Sequence, residues 1–148
     1  MSGLEDRLRA LEDRASILDL IASYGPYADS GNGDAIGALW AEGGTYSFGT
    51  TTLEHPDIAG LVELQSHREL MAAGCAHVLS APRLTIDGDT AVAVNHSIVL
   101  ACHGEAWAAV RVSANRWNFV RTDAGWRVAD RVNSLLAGGE SARELLML

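Results

Sequence analysis

The chain has 148 residues, 48% hydrophobic and 20% charged, which suits one globular domain over residues 1–148 with one core. Its formal net charge of −8, with eleven lysines and arginines spread thinly, excludes the basic face that a phosphate backbone requires, so no nucleic-acid partner is expected. No apolar run approaches the roughly 20 residues that span a bilayer, and the charged N-terminal stretch MSGLEDRLRALEDR lacks the apolar core of a signal peptide; no membrane partner and a cytoplasmic address are expected.

The first predicted element is a helix. Leu4, Leu8, Leu11, Ala15, Leu18 and Ile21 recur at three- and four-residue spacing, which places them on one helix face. Ser2 and Glu5 form the S-x-x-E pattern of a capping box that would start it. Gly25-Pro26 is expected to kink or break this helix, because Pro26 has no N–H for the Ala22 carbonyl. The stretch Tyr27–Ser30 follows, and Gly31-Asn32-Gly33 stops it. Asp34 then caps a short second helix through Ala41. Thr45–Phe48 reads as a short strand. Pro56-Asp57 opens a third helix, with Ile58, Leu61, Val62 and Leu70 as its apolar face.

From Ala76 the apolar period changes to two. Val78–Ile86 and Thr90–His103 flank Asp87-Gly88, a type I′ hairpin signal, and Ala106–Arg121 and Trp126–Asn133 flank a second turn, Thr122-Asp123-Ala124-Gly125. The tail from Glu140 reads as either a short helix or a mobile end. Helices followed by a meander of long strands define an α+β fold with helices on one face of the sheet. Strands of about 14 residues exceed the usual length, which predicts strong curvature with bulges. A curved antiparallel sheet closed by helices encloses a cone, and a cone of this kind makes a pocket.

Polar residues at core positions are the informative exceptions. His77 opens the first long strand in Cys75-Ala-His-Val-Leu. Asn95, Ser97, Val99, Ala101 and His103 share one face of the next strand, and Ser113, Asn115, Trp117 and Phe119 share one face of the strand after it. Asp29 lies just past the expected break in the first helix. If these faces meet, an aspartate, two histidines and an asparagine converge in an apolar cavity with Leu79, Val99, Ala101, Trp117 and Phe119. A buried aspartate on one imidazole nitrogen fixes the tautomer and raises the basicity of the other. The neutral imidazole is then a general base, and an asparagine amide can donate to a carbonyl that becomes enolate-like. Such a set abstracts a proton beside a carbonyl without a cofactor. His55, His67 and His96 read as surface residues, and Tyr24, Tyr27, Trp40, Trp107 and Trp117 as packing. Cys75 and Cys102 read as buried free thiols. Cys75-x-His77 lacks further metal spacing, so no metal site is expected. Glycine-rich nucleotide loops and the nucleophile elbow are absent from the sequence.

Several motifs resemble SnoaL-like proteins of the nuclear-transport-factor-2-like superfamily: Leu18-x-x-x-Ile-x-x-Tyr through Ala28-Asp29-Ser30-Gly31-Asn32-Gly33-Asp34-Ala35, then Ala76-His77-Val78-Leu79, Asp87-Gly88-Asp89-Thr90-Ala91, and Val120 through Val128. They occur in the right order over about residues 4–133. Within that superfamily the pattern is similar to scytalone dehydratase and hexachlorocyclohexane dehydrochlorinase. The resemblance implies Asp29 and His77 as the catalytic pair, His103 as a second catalytic histidine and Asn115, in Ser113-Ala114-Asn115, as a substrate ligand. Ala28 and Phe48 stand where scytalone dehydratase has two tyrosines, for which Tyr27 or Tyr46 is the available substitute. Tyr27, Phe48, Val99 and Trp117 complete the expected substrate contacts.

The resulting expectation is a cone-shaped α+β barrel acting as a cofactor-independent lyase of the dehydratase type on a small hydrophobic, aromatic or polyketide-like substrate. The fold also accommodates a non-catalytic binding protein, a subunit like the small subunit of aromatic-ring dioxygenases, and polyketide cyclase or ketosteroid-isomerase chemistry. His96, Ile98 and Leu100 on the outer sheet face point to a homo-oligomer, a trimer or a dimer.

Overall fold

A computed structural model describes residues 3–148. Helix α1 (Leu4–Asp29) is continuous, so Gly25-Pro26 does not break it. Pro26 stands in the last turn, where only the Ala22 carbonyl loses a donor, and its own carbonyl still accepts from Ser30 N at 3.0 Å. Gly25 serves a different purpose: a Cβ there would sit 2.3 Å from the His77 carbonyl oxygen, so only glycine lets the helix lie against the strand that carries His77. The Ser2–Glu5 capping box lies outside the described residues, and Gly3 N donates to Asp6 Oδ2 at 3.3 Å.

The face of α1 that enters the core is Ile17, Ile21, Tyr24 and Ala28, all at most 4% exposed. This corrects the sequence reading. Leu4, Leu8 and Leu11 are 78%, 53% and 65% exposed, because the first turns of the helix run beyond the sheet. Asp13 ties the helix down where it meets the sheet: Arg121 donates to both its carboxylate oxygens at 2.7 and 2.8 Å, and Trp126 Nε1 donates at 2.9 Å.

Helix α2 (Gly33–Gly37) is capped by Asn32, whose Oδ1 accepts from Ala35 N, two positions earlier than Asp34, and it is one turn shorter than expected. The region read as one third helix is three pieces: α3 (His55–Ile58), a 3₁₀ turn (Ala59–Glu63) and α4 (Gln65–Ala73). The strands are β1 (Trp40–Phe48), β2 (Thr51–Glu54), β3 (Cys75–Leu79), β4 (Arg83–Asp87), β5 (Thr90–His103), β6 (Ala106–Thr122) and β7 (Gly125–Leu135). Helix α5 (Glu140–Glu144) closes the chain. The expected strand Val78–Ile86 is split by Ser80-Ala81-Pro82, where proline removes a ladder donor.

The seven strands form one sheet in the order β2-β1-β7-β6-β5-β3, with β4 also on β5. All pairs are antiparallel except β1–β7, which is parallel. The β4–β5 turn is Gly88-Asp89, with Gly88 at φ 58°, the pattern of a type II′ rather than a type I′ hairpin. The ladders shift register between Val99 and Leu100 and between Asn118 and Phe119, the bulges that long curved strands require. Helices α1 to α4 close the concave face, and the core between them includes Trp40, Tyr46, Trp117, Phe119 and Val128.

Candidate active site

Asp29 is the last residue of α1 and faces the start of β3. Its carboxylate accepts from the backbone N–H of His77 at 2.9 and 3.1 Å and from His77 Nδ1 at 2.7 Å. A carboxylate oxygen can only accept here, so Nδ1 carries the proton and Nε2 keeps its lone pair. Burial outweighs the aspartate and holds His77 below the ordinary histidine value of 6.5, although the Asp29 bond pulls the other way. The neutral, basic form therefore prevails at neutral pH. The His77 side chain is 10% exposed.

Beside this pair is a cavity in which the space open to the centre of a water molecule is about 80 Å³. Tyr24, Tyr46, Phe48, Leu70, Leu79 and Val99 supply apolar wall, and His67, His77, Ser97, Arg131 and Asn133 bring polar atoms to it. His67 corrects the sequence reading, which put it on the surface. It is 6% exposed on α4, its Nε2–H donates to the Ala28 carbonyl at 2.8 Å, and its ring lies 5.3 Å from that of His77. Its spacing of three residues from Leu70 was the available signal that it shares the inward face.

Arg131 was not singled out by sequence. It is 2% exposed, and its guanidinium carbon lies 4.2 to 4.6 Å from the ring centroids of Trp117, Tyr24 and Tyr46. Nε and Nη2 donate to Asn115 Oδ1 at 3.0 and 2.8 Å, whereas Nη1 has no partner among the described residues and no carboxylate pairs with the cation. Strict alternation from Trp126 and Val128 would send Asp130 inward. The bulge at Ala129 shifts the register, so Arg131 faces the cavity instead.

The remaining expected residues divide. Phe48 and Val99 line the cavity. Asn115 and Trp117 are fully buried one layer behind it. Asn115 Oδ1 receives Arg131 and Asn133, its Nδ2 donates to Ser97 Oγ, and Trp117 Nε1 donates to Asn95. Tyr27 is half-buried against the core and does not line the cavity. His103 has the inward parity of Ala101, yet it is exposed, because the end of the β5–β6 hairpin projects into solvent, with residues 103–112 all exposed. It is not brought to Asp29 and His77.

Asp29, Cys75 and His77 place three potential metal donors within 4.8 Å of one another. Their protons oppose that use. The Cys75 thiol points at Asp29 at 3.6 Å, and burial with the neighbouring carboxylate pushes it up to about 11. A metal would have to displace that proton and the His77–Asp29 bond together.

An α+β cone with a half-buried Asp–His pair at its wall defines the class, and residues 9–132 match the SnoaL-like domain family. The chain belongs to that family, within the NTF2-like fold. An NTF2-like protein with a cystatin-like fold from Novosphingobium aromaticivorans is 49% identical, with a TM-score of 0.96 over 100% of this chain and 99% of that one. A protein from Streptomyces avermitilis, described as a candidate dehydratase of the NTF2-like family, is 15% identical, with a TM-score of 0.66 over 85% of this chain and 97% of that one. ActVI-ORFA from Streptomyces coelicolor is 17% identical, with a TM-score of 0.72 over 83% and 97%. The last two show likeness of fold alone. No curated protein matches the chain. No described helix is long and apolar enough to cross a membrane.

Proposed function

We propose that the protein is a cofactor-independent lyase of the dehydratase type, acting on a small hydrophobic β-hydroxy ketone. The observation that carries this reading is the Asp29–His77 contact at 2.7 Å, which leaves Nε2 of a neutral histidine free beside an aromatic-walled cavity. The candidate dehydratase among the fold neighbours agrees with it.

His77 Nε2 takes the proton from the carbon next to the carbonyl, and the C–H electron pair moves into an enolate. Arg131 Nη1, a buried donor without a partner, holds the enolate oxygen. Collapse of the enolate forms the C=C bond and expels the hydroxyl. The hydroxyl leaves as water with the proton that His77 took from carbon. Tyr24 stays a protonated phenol, because burial foremost raises it, and so remains a donor rather than a charge in the cavity.

A panel of aromatic β-hydroxy ketones, followed in deuterium oxide, tests this. Wild-type protein should exchange the α-proton and release water, and His77→Ala should lose at least about 100-fold in both. Absence of exchange across the panel, or full activity in His77→Ala, overturns the reading.

A further inference from the structure

The stripe left outside the core on α1 has a regularity that its own domain does not use. Leu4, Leu8, Leu11, Ala15 and Leu18 are separated by four, three, four and three residues, the a/d spacing of a heptad repeat. At 3.6 residues per turn their mean direction lies about 130° around the helix from Ile17, Ile21, Tyr24 and Ala28. Leu4, Leu8, Leu11 and Ala15 are exposed, and Leu18 is half-buried where the stripe meets the domain.

We propose that this stripe is one half of a parallel two-stranded coiled coil, and that its occupant is the same stripe of a second copy of this chain. The inference does not rest on the catalytic reading. With leucine at d, the positions flanking the seam are Arg7 and Arg14 at g and Glu5, Glu12 and Asp19 at e, and all five are exposed. In a parallel pair each g residue meets the e′ residue five positions on. Arg7 then faces Glu12, and Arg14 faces Asp19, of the partner copy. An antiparallel pair would bring g to g′ and e to e′, arginine on arginine and acid on acid. The charge pattern thus selects both the partner and its direction.

A membrane surface fits the stripe poorly. Residues 4–14 carry Glu5, Asp6, Glu12 and Asp13 against Arg7, Arg9 and Arg14, so the polar face is not basic. A short seam is weak when its helices must fold on association. Here the helix is already formed, because the Asp13 contacts to Arg121 and Trp126 and the packing of Ile17 onward fix it to the sheet.

Sedimentation of the whole protein at micromolar concentration tests this. The wild type should run as a dimer, and Leu8→Glu with Leu11→Glu as a monomer with unchanged circular dichroism, since both side chains are exposed. Arg7→Glu with Arg14→Glu makes every flanking charge acidic, and Glu12→Arg with Asp19→Arg makes all those of the g–e′ pairs basic. Each variant alone should be monomeric, and their mixture should dimerise. Oxidation of Leu11→Cys should give a covalent dimer, because d faces d′ in a parallel pair. A monomeric wild type, a dimer that survives the Leu8→Glu, Leu11→Glu change, charge variants that fail to complement, or wild-type binding to anionic vesicles without self-association would each overturn the proposal.

Discussion

Arg131 is a guanidinium sealed among three aromatic rings, with one face of its donors spent on Asn115 and one nitrogen left over. Desolvating a cation without a carboxylate costs free energy, and a buried donor without an acceptor adds to that cost. Three aromatic faces and Asn115 offset part of the first cost, and a substrate oxygen at Nη1 would supply the acceptor that the fold does not. Arg131→Met, of similar volume, should therefore abolish turnover while leaving the melting temperature within the range of about 1 kcal/mol, or raising it. Asn115 keeps its Asn133 donor in that variant. A large fall in melting temperature would instead make Arg131 a structural residue. His77 yields a second prediction at this scale. Its pKa is depressed by burial, so the base is neutral above that value and charged below it. Activity should hold as pH falls through 6.5, the ordinary histidine value, and decline only at lower pH.

Helix α1 carries three features at three levels along its length: the exposed heptad stripe, the Asp13 anchor and the Asp29 terminus. Gly25 makes the last of these possible. In an ordinary helix, glycine to alanine stabilises by about 1 kcal/mol. Here the new Cβ would meet the His77 carbonyl at 2.3 Å, so Gly25→Ala should destabilise by about 1–3 kcal/mol and reduce activity by moving Asp29 off His77. Stabilisation by Gly25→Ala in chemical denaturation would show that the helix has room to shift. At the anchor, hydrogen bonds from Arg121 foremost lower Asp13 from 3.8 to about 2. A depressed carboxyl contributes stability that is present above its unfolded value and is lost as pH falls through its folded one. Asp13→Asn should therefore be less stable than wild type at neutral pH, and the difference should vanish between about pH 4 and 2.

At the scale of the molecule, the proposed pairing through α1 would couple to folding by mass action, because the seam could form only when α1 is held in helical form on its domain. The melting temperature should rise with protein concentration in the wild type and be independent of it in the Leu8→Glu, Leu11→Glu variant. Calorimetry over a range of concentrations measures this directly. The cavity should be unaffected by that change, since none of its lining residues belongs to the exposed turns of α1.

Local rules carried much of the architecture. Alternating apolar residues and glycine turns located both long hairpins, since β-strand period and turn chemistry are properties of neighbouring residues. The motif order around Asp29 and His77 pointed to two residues that the fold brings to 2.7 Å. Tertiary structure decided what neighbouring residues do not encode. Two apolar stripes run along α1, and periodicity cannot tell which of them meets the sheet; packing buried the stripe of Ile17 and Ile21 and left that of Leu4 and Leu8 outside. A single bulge at Ala129 turned Arg131 inward against the alternation. The projecting end of the β5–β6 hairpin left His103 in solvent, although its parity is that of buried Ala101, while the closure of α4 over the cone carried His67 in. Which side chains share a cavity depends on register shifts and on which element covers which, and both are settled only when the sheet curves and the helices close on it.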